Sequence, residues 1–73
     1  MERIELLREL GIQLVDKWET LLDSDPRRVA REVRTYLRWV EGVPTSTPDG
    51  EAIRATLIEF CIELIAEAEA RSP

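Results

Sequence analysis

Histidine is absent from these 73 residues, cysteine occurs once, at Cys61, and the aromatic share is only 5%. Without histidine there is no ordinary zinc site and no imidazole to activate a nucleophile, and a single thiol cannot close an intrachain disulfide. Gly11, Gly42 and Gly50 are the only glycines and lie far apart, so phosphate-cradling loops, dinucleotide fingerprints and calcium loops are missing. A helical di-iron centre needs Glu-x-x-His pairs that this chain cannot supply. The longest apolar-rich run, Ala52 to Ala66, is interrupted by Arg54, Thr56, Glu59 and Glu63, and no N-terminal stretch joins basic residues to an apolar core. These absences predict no metal, no cofactor, no membrane span and no enzymatic activity. The expected setting is the reducing cytoplasm, where a lone cysteine in an apolar arc behaves as a small buried hydrophobe.

A hydrophobic content of 44% beside 34% charged residues describes a chain that folds. Net charge of −5 favours solubility and weighs against a general binder of nucleic acid or anionic membrane. A single domain over 1–73 is small, and a core of that size leaves stability marginal unless something adds to it. With disulfide and zinc gone, oligomerisation is the addition that remains.

The segment from Thr47 to Arg71 reads as one long helix that dominates the rest. At about 100° per residue, Leu57, Cys61, Leu64 and Ala68 form one line, with Ile53 and Phe60 on one flank and Ile58, Ile62 and Ile65 on the other. The arc spans roughly 200°, wider than the stripe one neighbour covers. Glu59, Glu63 and Glu67, spaced i, i+4, i+8, leave one acidic strip for water. Residues 2–22 carry Ile4, Leu7, Gly11, Leu14, Trp18 and Leu21 at alternating spacings of three and four, the seam of a packed helix. Gly11 within that seam costs helix stability, so it signals a close crossing or room for a ring such as Trp18 or Trp39, with a kink as the alternative. Leu6 and Ile12 sit off the seam.

Asp25 and Pro26 read as cap and first residue of a second helix over 26–41, returning antiparallel, with Val29, Ala30, Val33, Tyr36, Leu37 and Val40 inward. Gly42 is the expected left-handed end of that helix, with Pro44 preventing continuation. Thr47, Pro48 and the acids Asp49 and Glu51 open the third helix at residue 48.

Opposite the inner face of helix two stand Arg27, Arg31, Arg34 and Arg38. Like charges one turn apart oppose a helix by roughly 0.2–0.5 kcal/mol per pair, offset here by Arg28 with Glu32 and Arg38 with Glu41. Such a row can grip phosphates or an acidic protein surface, or lie solvated. Helix two holds five arginines against two glutamates, a local +3 that the rest of the chain reverses, and no helix-turn-helix glycine or aromatic platform accompanies it. Nucleic acid is therefore the disfavoured partner. Arg54 lies inside the apolar arc of helix three and needs either a buried partner or a route to water. Trp39, to the side of helix two's inner face, either closes over Val43 and Pro44 or anchors another protein.

The expected fold is an all-α three-helix bundle with helices at about 2–22, 26–41 and 48–71, pairing into a homodimer through helix three. The expected function is a non-enzymatic protein-interaction module, an adaptor, regulatory subunit or inhibitor, whose partner is another protein or a second copy. Its interface candidates are Arg54, Ile58, Cys61, Ile62, Ile65 and Trp39, because Ile58, Ile62 and Ile65 exposed together would make a large contiguous apolar patch. The alternatives are a nucleic-acid-binding regulator using the four arginines and an engineered bundle without natural activity.

Overall fold

Three helices account for nearly the whole chain in the computed structural model, which describes residues 2–72. They are α1 (Arg3–Leu21), α2 (Pro26–Gly42) and α3 (Pro48–Arg71). The all-α three-helix expectation is borne out, with boundaries within a residue of those read from the caps. The Asp25 side chain accepts from the Arg28 backbone N–H, and the Thr47 hydroxyl accepts from the Gly50 N–H, each with proline just inside the helix.

The end of α2 is not the one expected. Gly42 remains in the helix, and no described residue has positive φ. The Val43 N–H donates to the Val40 carbonyl at 3.4 Å, and the last carbonyls are also met from another helix: Arg54 of α3 donates from Nε to the Val40 carbonyl at 3.2 Å and from Nη2 to the Glu41 carbonyl at 2.7 Å. A half-buried guanidinium thus does the work of a glycine cap, since terminal helix carbonyls need a donor from somewhere.

The core is Ile4 and Trp18 of α1, Val29, Ala30, Val33, Tyr36 and Val40 of α2, and Cys61, Leu64, Ile65 and Ala68 of α3, with Leu22 and Val43 at the turns. Helices α2 and α3 make the principal contact, and α1 touches each of them less. Side-chain size explains the difference. The facing surfaces of α2 and α3 are rich in small residues such as Ala30, Val33, Cys61 and Ala68, whereas α1 approaches on Leu7, Leu10, Leu14, Trp18 and Leu21.

Gly11 is where α1 does come close, and its ring partner is Tyr36 rather than Trp18 or Trp39. A Cβ at Gly11 would stand 2.5 Å from the Tyr36 hydroxyl oxygen and 3.1 Å from Cζ. That hydroxyl donates to the Leu7 carbonyl at 2.6 Å, and the Tyr36 ring meets Trp18 edge-on at 5.6 Å between centroids.

Candidate functional site

The proposed second face of α3 does not stand open. Ile65 is buried, Ile58 is half-buried, and only Ile62 is exposed, at 55%. The contiguous Ile58, Ile62, Ile65 patch is therefore absent from the protomer surface. On that flank Glu69 also pairs with Arg34 of α2 at 3.1 Å, so α2 is the neighbour that covers it. The opposite flank, with Ile53 and Phe60 and the adjoining Leu57, faces α1 and stays only half-covered. The arc is wide enough for two neighbours, and the second is the loosely fitting α1.

Three polar latches hold α1. The Glu2 carboxylate accepts from the Ser46 hydroxyl at 2.6 Å, the Ser46 N–H at 3.3 Å and the Thr47 hydroxyl at 3.3 Å, and these bonds, led by the Ser46 hydroxyl, hold Glu2 below the usual carboxylate range. Tyr36 to Leu7 is the second. The third gathers on Glu32, which accepts from Arg28 at 2.9 Å and Trp18 Nε1 at 3.2 Å and pairs with Lys17 at 3.3 Å. The Arg28 bond chiefly lowers the Glu32 carboxyl to about 2, against a smaller opposing effect of burial.

Between and beside these latches the large side chains of α1 leave grooves. Along α1 and α2 runs a cleft of about 570 Å³ walled by Leu6, Leu7, Leu10, Trp39, Val43 and Pro44 and rimmed by Arg3 and Arg38. Leu6 is 55% and Trp39 53% exposed there, so Trp39 lines the cleft with Val43 and Pro44 and presents half its surface outward. Neither arginine has a carboxylate within ion-pair distance among the described residues. A smaller hollow lies past Trp39, against Leu14, Trp18 and Arg31. On the other side, between α1 and α3, a second groove is lined by Gly11, Ile12, Val15, Leu57 and Phe60 with Arg8 at its edge.

The arginine row is divided by its surroundings. All four guanidinium side chains are exposed, but Arg27 donates to the Ser72 hydroxyl at 3.2 Å and Arg34 pairs with Glu69, while Arg31 and Arg38 flank Trp39. Arg28 pairs with Glu32 as expected; no described ion pair joins Arg38 to Glu41. Cys61 is fully buried, and burial pushes its thiol up to about 11. Among the described residues no three potential metal ligands converge, and no helix is long and apolar enough to cross a membrane. Leu6 and Ile12, passed over in the sequence as stray apolar residues, turn out to lie at the two grooves; their only signal was their position just off the α1 seam. No protein family model, curated protein or solved structure matches the chain.

Proposed function

We propose that this chain is a non-enzymatic protein-interaction module, an adaptor, regulatory subunit or inhibitor, that takes an acidic amphipathic helix into the cleft between α1 and α2 and also self-associates. The observation that carries the reading is the cleft itself, where an apolar floor with Leu6 and Trp39 half exposed lies between Arg3 and Arg38. Tryptophan and arginine are the side chains that most often anchor protein contacts, and an amphipathic helix laid in an apolar groove is a common recognition mode. Two guanidiniums without carboxylate partners at the rim favour a ligand that brings carboxylates.

The reactive groups support the non-enzymatic side. The Cys61 thiol is buried and raised, which keeps it protonated and shielded. Glu32, the carboxylate pushed furthest from its ordinary value, goes down, so it is a fixed ion rather than a proton carrier near neutral pH. The nucleic-acid reading draws less support, because Ser72 and Glu69 engage two of the four arginines on which it relies.

The test uses two synthetic helices, one alternating leucine with glutamate and one leucine with lysine on the same pattern. Fluorescence anisotropy is expected to show binding of the acidic helix only, weakened about tenfold or more by Trp39→Ala and by Arg38→Glu. Equal affinity for both helices, or for neither, overturns the cleft reading. Salt-dependent oligonucleotide binding abolished by a double Arg31→Glu, Arg34→Glu change would put nucleic acid in its place.

A further inference from the structure

We infer that the groove between α1 and α3 seats a second copy of this chain, packed antiparallel about a twofold axis through Ile12. This deepens the interaction-module reading and rests on it. Ile12 is 58% exposed, the most exposed large apolar side chain among the described residues. It stands over a groove walled by Val15, Leu57 and Phe60, which continues along α3 past Ala52, Ile53 and Thr56. Among the described residues nothing covers Ile12, and covering it would bury the flank of α3 that α1 leaves half open.

Charge selects the occupant and its direction. Arg8, Ile12 and Asp16 are spaced i, i+4, i+8, so they form one line along α1, positive, apolar, negative. An antiparallel copy turned about Ile12 sets Arg8 against the partner copy's Asp16 and, by the same symmetry, Asp16 against its Arg8. A parallel pairing would set Arg8 on Arg8 and Asp16 on Asp16. In the free protomer the line is unspent: Arg8 reaches only its neighbour Glu9, at 3.9 Å, and Asp16 has no cation within ion-pair distance among the described residues. Glu5 and Glu19 meet under the same symmetry, but at the outer ends of the contact, where water and salt screen them. Ile62, on the far side of α3, takes no part.

Sedimentation equilibrium of five proteins tests this: wild type, Ile12→Glu, Arg8→Glu, Asp16→Arg, and the double Arg8→Glu, Asp16→Arg. Wild type is expected to form a closed dimer and Ile12→Glu to remain monomeric. Each charge variant is expected to weaken association by about tenfold, and the double, which restores opposite charges across the axis, to return to within about threefold of wild type. All three positions are exposed, so circular dichroism should show the helices intact. If a charge variant loses helicity, oxidation of Ile12→Cys decides, since thiols meeting at the axis link two copies where Ile62→Cys does not. A monomeric wild type, a double weaker than either single, or no cross-link at position 12 overturns the proposal. A monomeric wild type whose cleft still takes the acidic helix removes self-association and this inference with it but leaves the cleft reading standing; one that takes no helix removes the module reading as well.

Discussion

The two halves of this bundle are built on different terms. Between α2 and α3 the contact is close, lined by Ala30, Val33, Cys61 and Ala68, with side chains crossing at both ends, Arg54 onto the Val40 and Glu41 carbonyls and Arg27 onto the Ser72 hydroxyl, and Arg34 of mid-α2 pairing with Glu69. Against this pair α1 brings leucines and Trp18, and is fixed by the Glu2, Tyr36 and Glu32 latches. Small facing residues let backbones approach, and large ones hold them apart. The lesson is that one loosely seated helix creates both grooves of the molecule, one on each side, from a chain too small to bury everything it carries.

The largest expected effect breaks the α1 side of that comparison. Gly11→Ala drives a methyl into the Tyr36 hydroxyl, so despite alanine's better helix propensity it should destabilise the fold by about 1–3 kcal/mol in urea melts. Tyr36→Phe removes the colliding oxygen along with its bond to Leu7. The double variant should therefore be more stable than the sum of the two single losses. Additive losses would mean that the ring and the glycine do not meet.

On the other side, Arg54→Ala leaves the Val40 and Glu41 carbonyls without their side-chain donor. A loss of about 1–2 kcal/mol is expected, with the amides at the end of α2 exchanging faster while those of α1 change little. Unchanged exchange at residues 40–43 would show that water serves those carbonyls as well as the guanidinium does.

The smallest effect is acid-dependent and belongs to the α1 latches. Glu32 sits at about 2 in the fold against an ordinary 4.5, so its contribution is complete above about pH 5, fades as pH falls between those values, and is gone below about pH 2. Glu2 is lowered as well and acts in the same direction. Thermal melts should therefore drop through this window, and Glu32→Gln should flatten part of the drop. An acid profile identical in Glu32→Gln would remove the latch from the account.

How much of this the sequence disclosed depended on the range of each interaction. Local chemistry was legible: Asp25 with Pro26 and Thr47 with Pro48 begin α2 and α3 as read, and the apolar periodicity of each helix put Val29, Val33, Tyr36, Val40, Cys61 and Leu64 inside. Gly42 misled because the donor that ends α2 comes from Arg54, far along the chain and invisible to capping rules. Arg54 itself was recognised as anomalous, but whether it would find a partner depended on tertiary placement. Gly11 was read as a close approach ahead of a kink, and a ring does fill the space, but it is Tyr36, on the same helix as Trp39, rather than either tryptophan. The width of the α3 arc was read as needing cover from its own chain on one side and a second molecule on the other, whereas within the protomer both α2 and α1 pack against it. The choice of the Ile58, Ile62 and Ile65 flank as the open one did not hold, because Ile65 is buried and Ile58 no more open than Leu57 and Phe60, an outcome set by tertiary packing that helical periodicity does not carry.

The most direct test is an amide NMR titration of the wild-type protein, first by dilution and then with the acidic helix. Dilution should move resonances of residues 8–16 on α1 and around Phe60, and the acidic helix should move those of Leu6, Leu10, Arg38 and Trp39. Shifts that instead gather around Ile58 and Ile62, or no shifts in either series, would contradict the claim that the loosely seated helix makes the binding surfaces.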